Sequence, residues 1–220
     1  MSDDILSKFL LPKRLEKLDS VLNNRTNNLT IVLDRIKNYH NISAVIRTAD
    51  AFGINKIHLV GGSFEYTSGI SLGTEKWLEI KKYDSAKIAI KELKEQNYKT
   101  VVMQPESFEA KKPIAVNELP FEQKLALVFG NEKHGVAKEY KKTADIFAYI
   151  PMYGFVESLN ISVACAITVF CSTIPKAKTK RRLASISEEK KAELKSKWLK
   201  QDVRNSDIIL KDIERRKEFE

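Results

Sequence analysis

Cysteine is scarce in this chain: Cys165 and Cys171 are the two among 220 residues, and both lie in one apolar run. Two are too few for a disulfide framework or a four-cysteine zinc site, so the chain reads as reduced. Twenty consecutive apolar residues occur nowhere, and the opening Met1-Ser2-Asp3-Asp4 is acidic where a signal peptide is basic and then apolar. Neither a membrane span nor secretion is expected, which points to the cytoplasm. Also missing are a G-x-x-x-x-G-K-[ST] phosphate loop, a G-x-G-x-x-G turn after a strand, and any histidine pair at metal-ligand spacing. No metal site is expected, and the isolated His40, His58 and His134 read as surface or structural histidines.

What is present suffices for one packed domain with short appendages, at 43% hydrophobic and 30% charged residues. The net charge of +9 suggests an anionic partner, and most of it is terminal. From Lys176 to the end there are fifteen Lys and Arg against nine Asp and Glu; residues 29 to 175 hold eighteen against sixteen. The densest run is Lys176, Lys178, Lys180, Arg181 and Arg182, which suits a phosphate backbone but equally a solvated linker.

Strand-like and helix-like segments alternate along the middle of the chain, which predicts an α/β sheet with parallel pairing. Strands are expected at Thr30 to Asp34, Lys56 to Gly61, Leu78 to Tyr83, Thr100 to Gln104, Leu125 to Phe129 and Phe147 to Pro151. Helices are expected from Ile42 to Phe52, from Ser85 (as N-cap) to about Gln96, and from about Leu159 to Thr173. The last is apolar almost all round, so it is expected at the buried centre of the fold. Residues 5 to 25 suggest an amphipathic helix interrupted near Pro12, and two charged helices are expected over Ser187 to Leu199 and Val203 to about Lys217. The expected organisation is an N-terminal extension over 1–27, a core over 28–175, and a basic linker with C-terminal helices over 176–220.

Three segments carry polar groups where such a sheet binds ligands. Asn38 to Gly53 follows the first strand; Asn41 can cap the helix, and Arg47 can reach a phosphate or carboxylate or pair with Asp50 at i,i+3. Leu127 to Val136 is a buried-type strand breaking at Gly130, with Glu132 and the Gly130 backbone at its carboxyl end, read as a ligand site or as a plain strand-to-helix turn. Ile150 to Ala164 runs into the apolar helix with Ser158, Asn160 and Ser162 at its head; capping accounts for one of them, and three together suggest a site.

In order and spacing, these segments resemble the three motifs of the SpoU family of RNA 2'-O-ribose methyltransferases, within the SPOUT superfamily. The resemblance covers roughly residues 28 to 175. Ser71-Leu72-Gly73-Thr74-Glu75-Lys76-Trp77 and the two terminal extensions are similar to the branch of that family acting on tRNA guanosine. The resemblance implies an α/β fold with a mostly parallel sheet flanked by helices, knotted as a deep trefoil in its C-terminal part and extended by N- and C-terminal helices. It also implies a homodimer and S-adenosylmethionine (S-adenosyl-L-methionine) bound in the knot loops. The family's cofactor loops match Val102 to Gln104, Leu127 to Asn131 and Ile150 to Asn160, which makes Gln104, Gly130, Ile150 and Leu159 the expected cofactor contacts.

The family's functional residues carry over to Asn41, Arg47, Glu132, Ser158 and Asn160. His40 and the five basic residues from Lys176 to Arg182 are the RNA-binding candidates. The implied partner is tRNA rather than DNA or a membrane, with the ribose 2'-hydroxyl of a D-loop guanosine as methyl acceptor. Arg47 either loses a proton transiently or stabilises the developing alkoxide, serving the cofactor of the other subunit. Ribosomal RNA, another tRNA position and an inactive RNA-binding role are the alternatives.

Overall fold

Pro12 interrupts the N-terminal amphipathic segment: helix α1 (Ser2–Ser7) stops before it and α2 (Pro12–Asn23) starts on it, where a proline's missing N–H costs nothing. Then follow β1 (Leu29–Asp34), α3 (Tyr39–Ala51), β2 (Lys56–Val60), β3 (Glu79–Tyr83), α4 (Ala86–Glu95), β4 (Lys99–Met103) and β5 (Ile114–Ala115). Next come β6 (Leu125–Gly130), α5 (Lys138–Thr143), β7 (Ile146–Tyr149), α6 (Ile161–Thr173), α7 (Glu188–Asp202) and α8 (Ser206–Lys217). This computed structural model describes residues 2–61, 73–105, 112–174, 183 and 185–217. The basic run from Lys176 to Arg182 lies outside the described residues, as do Ser71 and Leu72; Thr74–Trp77 forms a short 3-10 turn.

The chain divides into two compact units, Thr26–Ala184 and the joined ends, Met1–Arg25 with Ser185–Glu220. In the terminal unit α1 and α2 pack on α7, and α8 packs on α1 and α7. Arg14 grips Asp202 with two bonds, of 2.6 and 2.9 Å, and Lys195 reaches Asp19 at 2.6 Å. Arg25 is fully buried with its guanidinium 5.2 Å from the Trp198 ring centre. The segments read as separate extensions in sequence thus share one set of contacts.

In the larger unit seven parallel strands lie in the order β3-β2-β1-β6-β4-β7-β5. The chain lays β2 and β3 on one side of β1, crosses to lay β4 and β5 on the other, and then inserts β6 and β7 between strands already laid. Every residue of β1 is buried, as a central parallel strand covered on both faces requires. Leu29, Ile31 and Leu33 face α3 and α6; Val32 faces the opposite way, toward the layer of α4 and α5. The six predicted strands are all present within one or two residues at each end. The two-residue β5 and the six-residue α5 were not predicted, being too short to show a period.

Three sequence readings need correction. Ser85 occupies the N-cap of α4 but makes no side-chain capping bond. Asn41 does not cap α3: Asn38 does, accepting from the His40 N–H at 2.9 Å, and Asn41 is buried inside the first turn. Helix α6 is not buried all round. Ile161, Cys165, Thr168, Val169 and Ser172 face the core, while Val163 and Phe170 remain 45% and 53% exposed. An apolar surface on both sides of a helix needs two partners, and the described residues supply one.

Candidate active site

The carboxyl ends of β1, β6, β4 and β7 lie side by side where the strand order turns back, which is where open parallel sheets bind ligands. There the three polar segments meet. Asn41, in the first turn of α3, donates its Nδ2–H to Glu132 Oε1 at 2.7 Å, across 91 residues of chain. Its Oδ1 accepts from Asn160 Nδ2 at 3.2 Å, across 119 residues. Asn160 Oδ1 in turn accepts from the Ser162 N–H at 2.9 Å and the Ser162 hydroxyl at 2.6 Å, capping α6. A carboxylate only accepts, so Glu132 dictates which way the Asn41 amide faces, and Asn41 dictates Asn160. Asn41 is 6% exposed, so its polar ends need these partners.

The Gly130 to Gly135 loop after β6 is closed on itself by two backbone bonds, Asn131 N–H to Gly135 O at 3.1 Å and Gly135 N–H to Asn131 O at 2.7 Å. A side chain at Gly130 would place its Cβ 2.3 Å from the Gly135 carbonyl carbon and the Val136 nitrogen, so only glycine lets the two strands of the loop touch.

Beside this chain of bonds opens a cleft of about 460 Å³, lined by Gln104, Gly130, Glu132, Ile150, Ser158 and Leu159 among others. All four residues expected to contact a cofactor therefore line the same cleft. Gln104 gives up its backbone N–H to Ala148 O at 3.0 Å, but its side-chain Nε2 and Oε1 are buried with no hydrogen-bond partner among the described residues. A buried amide with both ends unmet is costly unless a ligand meets them. Met103, Met152, Glu157, Lys141 and His134 also line the cleft. The first three fall within or beside segments singled out in the sequence, whereas Lys141 stands on α5, which carried no sequence signal.

Arg47 stands apart: it is exposed on α3 and does not line the cleft. Among the described residues it has no hydrogen-bond or ion-pair partner, so the bridge to Asp50 is not formed. His40 is exposed and its ring lies 4.1 Å from that of Tyr39. His58 is structural: fully buried, it holds Tyr83 Oη at 2.9 Å from Nδ1, and burial lowers its pKa to about 4. Among the described residues no group of three or more His, Cys, Asp or Glu is placed to hold a metal ion, and no helix is long and apolar enough to cross a membrane.

The SpoU rRNA Methylase family matches residues 28–170, which takes in all three segments and the cleft they form. The chain belongs to this family. A Borreliella burgdorferi protein named tRNA (guanosine(18)-2'-O)-methyltransferase is 35% identical over 219 residues, spanning 95% of this chain and 97% of its own length. One of the same name from Aquifex aeolicus is 33% identical, over 90% of this chain and 94% of its own. The crystal structure of the A. aeolicus TrmH/SpoU tRNA modifying enzyme superposes with a TM-score of 0.73 at 32% identity, covering 88% of this chain and 98% of that one. All three coverages of this chain exceed the family-matched core, so the likeness extends into the terminal segments.

Proposed function

We propose that this chain is a cytoplasmic tRNA (guanosine-2'-O-)-methyltransferase that transfers a methyl group from S-adenosylmethionine to the ribose 2'-hydroxyl of guanosine 18. The observation that carries the reading is the bond chain Glu132–Asn41–Asn160, which ties the three family segments together at the rim of one cleft. Near-full-length relatives bearing that name support the choice of substrate.

The cleft suits the cofactor: its volume is in the range of small-molecule sites, and the unmet Gln104 amide can both donate and accept. Gln104, Gly130, Ile150 and Leu159 would hold it. S-adenosylmethionine supplies, when bound, a methyl group already activated by its sulfonium. The chain's own task is then to orient the ribose hydroxyl and manage its proton. Arg47 is assigned to the alkoxide, which its guanidinium stabilises as charge develops while water takes the hydroxyl proton. Asn41 and Glu132 orient the ribose side, and Ser158 with Asn160 shapes the loop at the head of α6.

Arg47 does not line its own chain's cleft, and Val163, Phe170 and Ile174 leave an apolar face on α6. Both features support a homodimer in which Arg47 of the partner subunit completes each site. The deep trefoil knot belongs to the same reading, supported by the late insertion of β6 and β7. His40 and the basic residues from Lys176 to Arg182 are assigned to the tRNA backbone.

Transfer of tritiated methyl groups into purified tRNA and ribosomal RNA, followed by mapping of the modified nucleotide, tests the reading. Label at guanosine 18 of tRNA is expected. Label in ribosomal RNA or elsewhere in tRNA would replace the substrate but keep the chemistry, and failure to bind S-adenosylmethionine would leave an RNA-binding protein.

A further inference from the structure

The turn that ends β1 makes more bonds to the Gly130–Ala137 loop than a simple connection needs. Asp34 lies opposite Gly130 in the sheet register and is 1% exposed. Its Oδ2 accepts from the Ala137 N–H at 2.6 Å and from Arg35 Nε at 3.3 Å. Arg35 then donates from Nη2 to the Gly135 carbonyl at 3.2 Å, and its own carbonyl accepts from Asn131 Nδ2 at 3.3 Å. Arg35 adopts φ 57°, a left-handed conformation that an arginine takes only at a cost. Its backbone N–H is pinned to Val60 O at 2.7 Å, and Gly61 leaves room for its stem, which a Cβ there would meet at 3.1 Å. A strained residue kept in place by this many partners marks a constrained position.

We propose that Asp34 and Arg35 are positioning residues that latch the Gly130–Ala137 loop to the end of β1, holding Gly130 against the cleft and Glu132 within reach of Asn41. The inference rests on the methyltransferase reading of that cleft. Neither residue lines the cleft, so both act through the loop. Burial pushes the Asp34 carboxyl above its ordinary range, and the Ala137 N–H and the Arg35 guanidinium counter only part of that rise.

The test is Arg35→Gly, which removes the guanidinium bonds and also relieves the left-handed strain. The Kd for S-adenosylmethionine, measured by calorimetry on the full chain, should rise about tenfold, with the melting temperature equal or higher. Arg35→Lys, which keeps a cation beside Asp34, should recover part of the affinity. An unchanged Kd for Arg35→Gly would overturn the latch while leaving the methyltransferase reading intact, as would a lower melting temperature with unaltered Kd. Should the glycine variant not fold, Arg35→Asn carries the same test, since asparagine also tolerates positive φ. If the unaltered protein does not bind S-adenosylmethionine, the cofactor reading falls and the latch with it.

Discussion

On one face of the sheet, α4 and α5 close over Val32, Val60, Val102 and Val128; on the other, α3 and α6 close over Ile31, Leu33, Leu127 and Phe129. The strands are the same on both faces, and the helices are not. Helix α4 buries Ala86, Ala89, Ile90 and Leu93 and turns Lys87, Lys91 and Glu95 to water, with Ile88 the single large apolar side chain it leaves exposed. Helix α6 has apolar side chains on both sides, and Phe52 and Phe170 meet edge-on at 6.3 Å near the uncovered one. The buried polar groups differ in the same sense. On the α4 face buried His58 pairs through Nδ1 with the Tyr83 hydroxyl at 2.9 Å, inside the core. On the α3 and α6 face the polar groups sit at helix starts, at the carboxyl ends of the strands, beside an open cleft. One face is closed by the chain's own residues but for Ile88; the other keeps an open cleft and an exposed apolar stripe, which the proposed function fills with a ligand and a second copy.

Substitutions on the two faces should therefore separate activity from stability. Arg47→Lys keeps the charge but loses the planar fork, and should lower methyl transfer by on the order of a hundred- to a thousandfold with the melting temperature and cofactor affinity unchanged. Retention of most activity in a single-turnover assay would take Arg47 out of the reaction.

His58→Gln makes the opposite demand. The folded pKa of about 4 lies below the ordinary 6.5, so the unfolded chain binds more protons between those values. His58 therefore withdraws stability as pH falls from 6.5 toward 4, by up to about 3 kcal/mol. Glutamine, which does not titrate, should flatten the urea-unfolding profile across that window and leave methyl transfer at pH 7.5 as it was. An identical profile in both proteins would mean that His58 is not buried neutral.

Phe170→Ser strikes the open side of α6. Sedimentation should show a dimer dissociation constant raised roughly thirtyfold, equivalent to about 2 kcal/mol of lost apolar burial. A constant unmoved by this change would place the subunit contact elsewhere. The smallest effect is expected for Asn160→Ala, which removes the α6 cap and the bond to Asn41 together. Thermal unfolding should record a loss of about 1 kcal/mol, and methyl transfer should drop roughly tenfold. A loss of stability with full activity would reduce Asn160 to a cap.

The short apolar runs of the six strands and the 3.6-residue period of helix α4 were enough to find them, because each is long enough to show its pattern. Two-residue β5 and six-residue α5 show no such period and owe their existence to their neighbours. The three polar segments could be singled out one by one, but nothing local says that Glu132 lies within 2.7 Å of Asn41 or that Asn160 completes the chain. That follows from β6 being laid between β1 and β4, a matter of strand order with no counterpart in local spacing. The same holds for Asn41 itself. Asn38 and Asn41 are equally good caps by residue type, and it is in the folded chain that Asn38 starts the helix and Asn41 is buried within it. Likewise the apolarity of α6 was plain in the residues, but whether the core covers one side or both depends on how much surface α3 and the sheet can reach. Local chemistry thus set which residues carry polar groups at strand ends; the tertiary structure decided which of them touch, because contact depends on topology rather than on distance along the chain.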